Sequence, residues 1–76
     1  MITVSTFGER FKSLRIESGH TQKSIGEVFN IKVRMIQYYE RNEKFPDFKG
    51  LVSIAEYFDV SLDYLVGRTN NREINY

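Results

Sequence analysis

Helix start and stop signals punctuate this chain at short intervals, and they limit it to a set of short helices. Thr6 followed three residues later by Glu9 reads as a capping box, with the Thr6 hydroxyl accepting from the Glu9 amide and the Glu9 carboxylate reaching back. Phe7, Phe11 and Leu14 then share a stripe, and Gly19 supplies a left-handed stop, which predicts a first helix over 6–18. Thr21 is a second N-cap, and Ile25, Val28 and Phe29 repeat at helical spacing up to Asn30, a residue that tolerates the left-handed conformation. The second helix is expected over 21–29 and a third over 32–41, the latter ended by the polar turn from Asn42 to Pro46. Asp47 caps a fourth helix whose buried stripe is Leu51, Ile54, Ala55 and Phe58, and Ser61 caps a last turn from Leu62 to Val66, closed by Gly67. Strand-like patterning is confined to "MITV" and "EINY". The residues from 68 to 76 are polar and without period, and a loose tail is expected there, outside a domain spanning 1–67.

A chain of 76 residues is one small domain. Such a chain buries only roughly 60% of its unfolded surface, so function is expected on the surface rather than in a deep pocket. There is no cysteine and only one histidine, His20, which leaves no thiolate site and little from which to build a zinc or copper site. No cofactor is expected. Nothing in the sequence pairs a nucleophile with a base and an orienting group, and no glycine-rich phosphate loop is present, so catalysis finds no support. The N-terminal stretch meets glycine and charge too soon for a secretory apolar region, and no apolar run approaches the ~18 residues of a membrane span, so a cytoplasmic location is expected.

The net charge of +1 is small, but it is unevenly spread. Residues 1–49 carry nine Lys/Arg against six Asp/Glu, whereas 50–67 carry Glu56, Asp59 and Asp63 and no base. One end of the domain is expected to be electropositive, the other electronegative.

The third segment, NIKVRMIQYYERN, concentrates the candidate chemistry. At about 100° per residue, Lys32, Ile36, Tyr39 and Glu40 fall on one side and Arg34, Gln37, Tyr38 and Arg41 on the other. The outer side is made of hydrogen-bonding groups, and a merely solvated helix face is the alternative reading. Two helices joined by a few residues, the second with an unburied polar face, form a helix-turn-helix. Gly26 fits that arrangement: mid-helix glycine costs about 1 kcal/mol relative to alanine, and close approach of the next helix is the compensation to look for. Gln22, in the first turn of the second helix, combines its side chain with nearby free amides in a way that suits an anion such as phosphate.

The tracts TQKSIGEVFNIKVRMIQYYERN and FPDFKGLVSIAEYFDVSLDYLVG, from about Phe7 to Gly67 with the lead-in, resemble the phage-repressor and Cro type of helix-turn-helix DNA-binding domain, the XRE family. The resemblance is carried by Thr21-Gln22, the tract Ile36 to Arg41, Pro46, and VSLDYLVG. It implies an all-α fold of five short helices around one core, with the helix at 32–41 entering the DNA major groove. The chain departs from the usual pattern at Gly26, Asn30, Lys32, Val33 and Phe45, which makes the operator sequence hard to borrow.

By this resemblance Val33, Arg34, Gln37 and Tyr38 read bases. Their chemistry permits it: Arg34 can donate twice to guanine, Gln37 can pair with adenine, and Val33 suits a thymine methyl. Gln22, Lys32, Arg41 and Lys44 are expected at phosphates, where they set register and affinity. Glu40, on the apolar side, needs a partner. Arg15 matches the position that supplies an internal Arg–Glu pair in the family, with Arg10 as the fallback. The expected partner is double-stranded operator DNA, read as an inverted repeat by a homodimer with recognition helices about 34 Å apart. The region of the fourth and fifth helices is the expected dimer contact, with Phe45, Tyr57 and Tyr64 as aromatics a partner can cover. The nine residues beyond Gly67 leave no room for a sensor, so control is expected through concentration, dimerisation or a partner, and repression is the default outcome. A protein-interaction module on the same fold, an adaptor or antitoxin-like partner, is the alternative.

Overall fold

The computed structural model describes residues 7–74 and contains, among them, five helices and no strand. They are α1 (Phe7–Glu17), α2 (Gln22–Phe29), α3 (Val33–Glu40), α4 (Phe48–Phe58) and α5 (Leu62–Leu65). Thr6 of the expected capping box lies outside the described residues. Three other expected caps form: the side chains of Thr21, Asp47 and Ser61 accept from the amides of Ser24, Gly50 and Tyr64 at 3.0, 2.8 and 2.9 Å. Each satisfies a backbone donor that the first turn of a helix leaves without an internal partner. Asn30 ends α2 at φ 56°, and Gly19 and Gly67 close α1 and α5 at φ 79° and 85°. Asp59 takes the same left-handed role after α4, a stop the sequence did not signal.

One core joins all five helices. Phe7, Phe11 and Leu14 of α1, Ile25 of α2, Ile36 and Tyr39 of α3, Ile54 and Ala55 of α4, and Tyr64 and Leu65 of α5 are buried, with Val60 between the last two helices. Phe11 is fully enclosed and meets Phe7, Tyr39 and Phe58 at ring-centroid distances of 5.6, 6.0 and 6.3 Å. Burial pushes the Tyr39 phenol above its usual pKa, and the charge of Asp47 adds to the effect. Val28, expected in the stripe of α2, is instead 43% exposed.

Two glycines mark where backbones approach too closely for a side chain. A Cβ on Gly26 would lie 2.6 Å from the Ile31 carbonyl oxygen and 3.5 Å from Ile36 Cγ1, so the compensating neighbour is chiefly the turn itself, with α3 behind it. A Cβ on Gly8 would lie 2.6 and 2.7 Å from the carbonyl oxygens of Tyr39 and Glu40, where the start of α1 crosses the end of α3. The Gly8 amide donates to Asn42 Oδ1 at 2.9 Å at the same crossing.

The segment 68–74 has neither helix nor strand, yet its polar residues fasten it to the domain. Arg72 makes a two-pronged ion pair with Glu17 at 2.7 and 2.9 Å, its carbonyl accepts from the Ser61 amide at 2.9 Å, and Asn70 accepts from buried Arg10 at 2.6 Å. Arg10 and Arg72 both lie over the Tyr64 ring, at 4.1 and 5.1 Å. Tyr64 is therefore 8% exposed, and the expectation that a partner covers it is corrected: residues of this chain already do. Arg10 is committed to this contact and not to Glu40. Among the described residues no helix is long and apolar enough to cross a membrane.

Candidate nucleic-acid interface

Helix α3 is set on the scaffold by the polar groups of its inner edge. Glu40, at its last turn, accepts from Arg15 of α1 through Nε at 2.6 Å and Nη2 at 3.2 Å. Arg15 also donates through Nη1 to the His20 carbonyl at 2.8 Å, so one guanidinium ties α1, the α1–α2 loop and α3 together. The two side chains are 11% and 6% exposed, which makes this a nearly dry, bidentate pair. The expected internal pair is thus present.

Gln22 stands where α2 begins, and its placement differs from the simple phosphate contact expected of it. Its Nε2 donates to Glu40 Oε1 at 3.1 Å, and its Oε1 accepts from Gln37 Nε2 at 3.4 Å. Sequence reading missed this connection because the spacing between Gln22 and Gln37 carries no signal until the turn at 30–32 folds the two helices together. His20 bridges Ser24 Oγ at 2.6 Å and Tyr57 Oη at 2.7 Å, which braces α2 against α4.

The outer face of α3 carries the residues expected to read bases. Val33 and Arg34 are exposed, and Gln37 and Tyr38 are half-buried beside them. Lys32 occupies the N-cap without a side-chain cap bond. Its side chain and the first amides of α3 consequently share one exposed end. After α3 the Tyr38 carbonyl accepts from the amides of Glu43 and Lys44, at 2.9 and 3.4 Å, and this turn brings Lys44 Nζ to 4.8 Å above the Tyr38 ring. Arg41 is exposed, and its 4.0 Å approach to Glu43 is too long and too solvated to neutralise it. Arg34, Arg41, Lys32 and Lys44 are therefore exposed cationic groups around the polar face of α3. No group of three or more His, Cys, Asp or Glu among the described residues is arranged to hold a metal ion.

An all-helical domain with a two-helix unit, α2 and α3, presenting one polar face from a braced support defines the helix-turn-helix class. Residues 11–65 match the helix-turn-helix family, and the chain belongs to it, in its XRE-type branch. It is 36% identical over 63 residues to the HTH-type transcriptional regulator ImmR of Bacillus subtilis, a match covering 83% of this chain and 50% of ImmR. A transcriptional regulator of Listeria innocua shares the fold with a TM-score of 0.77 and 37% identity, over 82% of this chain and 58% of that one. The DNA-binding domain of the P22 c2 repressor superposes with a TM-score of 0.76 and 25% identity over 86% of each chain. The chain spans about half the length of the curated relative ImmR.

Proposed function

We propose that this protein is a sequence-specific DNA-binding transcriptional regulator that binds an inverted-repeat operator as a dimer and represses transcription from it. The observation that carries this reading is the outer face of α3, polar and cationic, on a helix whose inner edge is locked by the buried Arg15–Glu40 pair. Locking matters because base readout requires the recognition side chains to be held in place before DNA arrives. Val33, Arg34, Gln37 and Tyr38 face base edges in the major groove, and Lys32, Arg41, Lys44 and the remaining amide proton of Gln22 face phosphates.

Two copies are needed because one helix of this length reads about half an operator. The acidic α4–α5 region is the proposed contact between copies, with exposed Tyr57 near its rim. Repression follows from occupancy: a bound dimer excludes polymerase from the promoter, and the likeness to the P22 c2 repressor domain supports that sign. Such a protein works in the cytoplasm of a bacterial cell, from a host or phage gene.

The test is selection of bound sequences from a random double-stranded DNA pool at roughly physiological salt, with Arg34→Ala beside the wild type. An enriched inverted repeat that blurs at one position in the variant is the expected result. Phe45 and Phe48, 60% and 71% exposed, favour the second reading, a protein-interaction module. That reading takes over if the folded protein enriches nothing.

A further inference from the structure

We infer that Gln22 is a positioning residue that sets the base preference of Gln37 to adenine over guanine. This rests on the proposal that α3 reads DNA. Glu40, ion-paired with Arg15, offers its neighbours only hydrogen-bond acceptors. Arg15 donates to it at 2.6 and 3.2 Å, and because a carboxylate offers no proton, Gln22 must turn its NH2 toward Glu40 Oε1, at 3.1 Å. That orientation aims Gln22 Oε1 at Gln37, and an oxygen there requires an N–H in return, which Gln37 Nε2 supplies at 3.4 Å. Neither amide is free to flip without placing like groups against each other.

The consequence lies in what Gln37 has left. Its carboxamide began with two N–H donors and one carbonyl acceptor, and one donor is committed to Gln22. One N–H and the carbonyl oxygen remain. Adenine presents one acceptor, N7, and one donor, N6–H, in the major groove, which matches that remainder. Guanine presents two acceptors, N7 and O6, and no longer finds two donors. Gln22 thereby acts on base choice from the inner side of the helix without touching a base.

The test is quantitative selection followed by competition binding with three proteins besides the wild type. Gln37→Ala locates the base pair that Gln37 reads, as the position where its motif blurs. Wild type is expected to prefer adenine over guanine there by about tenfold. Gln22→Leu removes both hydrogen-bonding ends, and the adenine-to-guanine ratio is expected to fall toward parity. Gln22→Lys keeps a donor facing Glu40 but offers Gln37 no acceptor, so the ratio is expected to fall as in Gln22→Leu, although its added charge strengthens binding to all sequences alike. Circular dichroism establishes that each variant is folded. A Gln22→Leu protein that binds all sequences more weakly but keeps the wild-type ratio overturns the inference and leaves Gln22 as a phosphate contact or a structural residue. Retention of the wild-type ratio in Gln22→Lys, or a wild-type preference for guanine, overturns it too. Absence of any enriched motif in the wild type defeats DNA reading itself, and the two failures are distinct.

Discussion

Arg15 and Glu40, 25 residues apart in sequence, meet in a bidentate ion pair whose shorter contact is 2.6 Å and whose two side chains are almost excluded from water. The pair fixes how α3 sits on α1, together with the close approach of Gly8 to the carbonyl oxygens of Tyr39 and Glu40. Its role is geometric before it is energetic: two charges taken out of water regain little net stability, but removing one partner strands the other. Glu40→Ala is therefore expected to cost about 3–5 kcal/mol of folding free energy in urea denaturation. Arg15→Ala should cost a comparable amount, and the double variant less than the sum of the two. Simple additivity would show that the two side chains do not act on one another.

Gly26 gives a prediction of opposite sign to its helix propensity. On propensity alone Gly26→Ala would gain about 1 kcal/mol. The new Cβ would stand 2.6 Å from the Ile31 carbonyl oxygen, backbone that is held in place by its own bond from the Ile31 amide to the Gly26 carbonyl at 2.7 Å. We expect a net destabilisation of about 1–3 kcal/mol, the range of an overpacked core site. A midpoint in urea at or above that of the wild type would mean that the turn yields and the crowding is harmless.

These two features show what could be read from the sequence. The caps at Thr21, Asp47 and Ser61 were legible because a cap is decided by a side chain and an amide three residues away. The core stripes were legible for the same local reason, except at Val28, which stays 43% exposed. The Arg15–Glu40 pair was reachable from two directions, the need of a carboxylate on an apolar face for a partner and the family resemblance. The Gln22–Gln37 contact, the burial of Tyr64 under Arg10 and Arg72, and the docking of residues 68–74 were not legible. Each depends on which surfaces the packed helices bring together, and polar residues without periodicity carry no record of that. Asp59 was missed because aspartate, unlike glycine, takes the left-handed conformation only occasionally.

Arg34 and Lys44 separate specificity from affinity. Both are exposed cations near α3, but Arg34 lies on the helix face and Lys44 lies beyond its end, above the Tyr38 ring. Arg34→Ala should cost about 1–3 kcal/mol on the preferred operator and relax preference at one base pair. Lys44→Ala should weaken binding to all DNA alike and reduce the slope of log K against log salt by about one unit. Fluorescence anisotropy on operator and scrambled duplexes across a salt series distinguishes them. If the two variants behave identically, the division into base and phosphate contacts is wrong.

The fastening of residues 68–74 has a pH dependence whose direction follows from its charges. The hydrogen bonds and charge of Arg72 hold the Glu17 carboxyl below its ordinary value of 4.5, and Glu17 in turn raises the Arg72 guanidinium. A carboxylate with a depressed pKa in the folded state contributes stability above its ordinary value, and that contribution is lost as pH falls through the lowered value. Arg72 stays charged throughout. The contact should therefore be intact at neutral pH and begin to release only below about pH 4.5, and because both groups are solvated, high salt should weaken it even at neutral pH. NMR titration of the Glu17 carboxyl carbon checks this, with the Ser61 amide, which donates to the Arg72 carbonyl, as the reporter of docking. In Arg72→Ala the Glu17 midpoint should rise toward 4.5 and the Ser61 amide should lose its pH-dependent shift below neutrality. An unchanged Glu17 midpoint in that variant would show that the ion pair does not form in solution and that the segment is held by its other contacts, to Arg10, Ser61 and Tyr64.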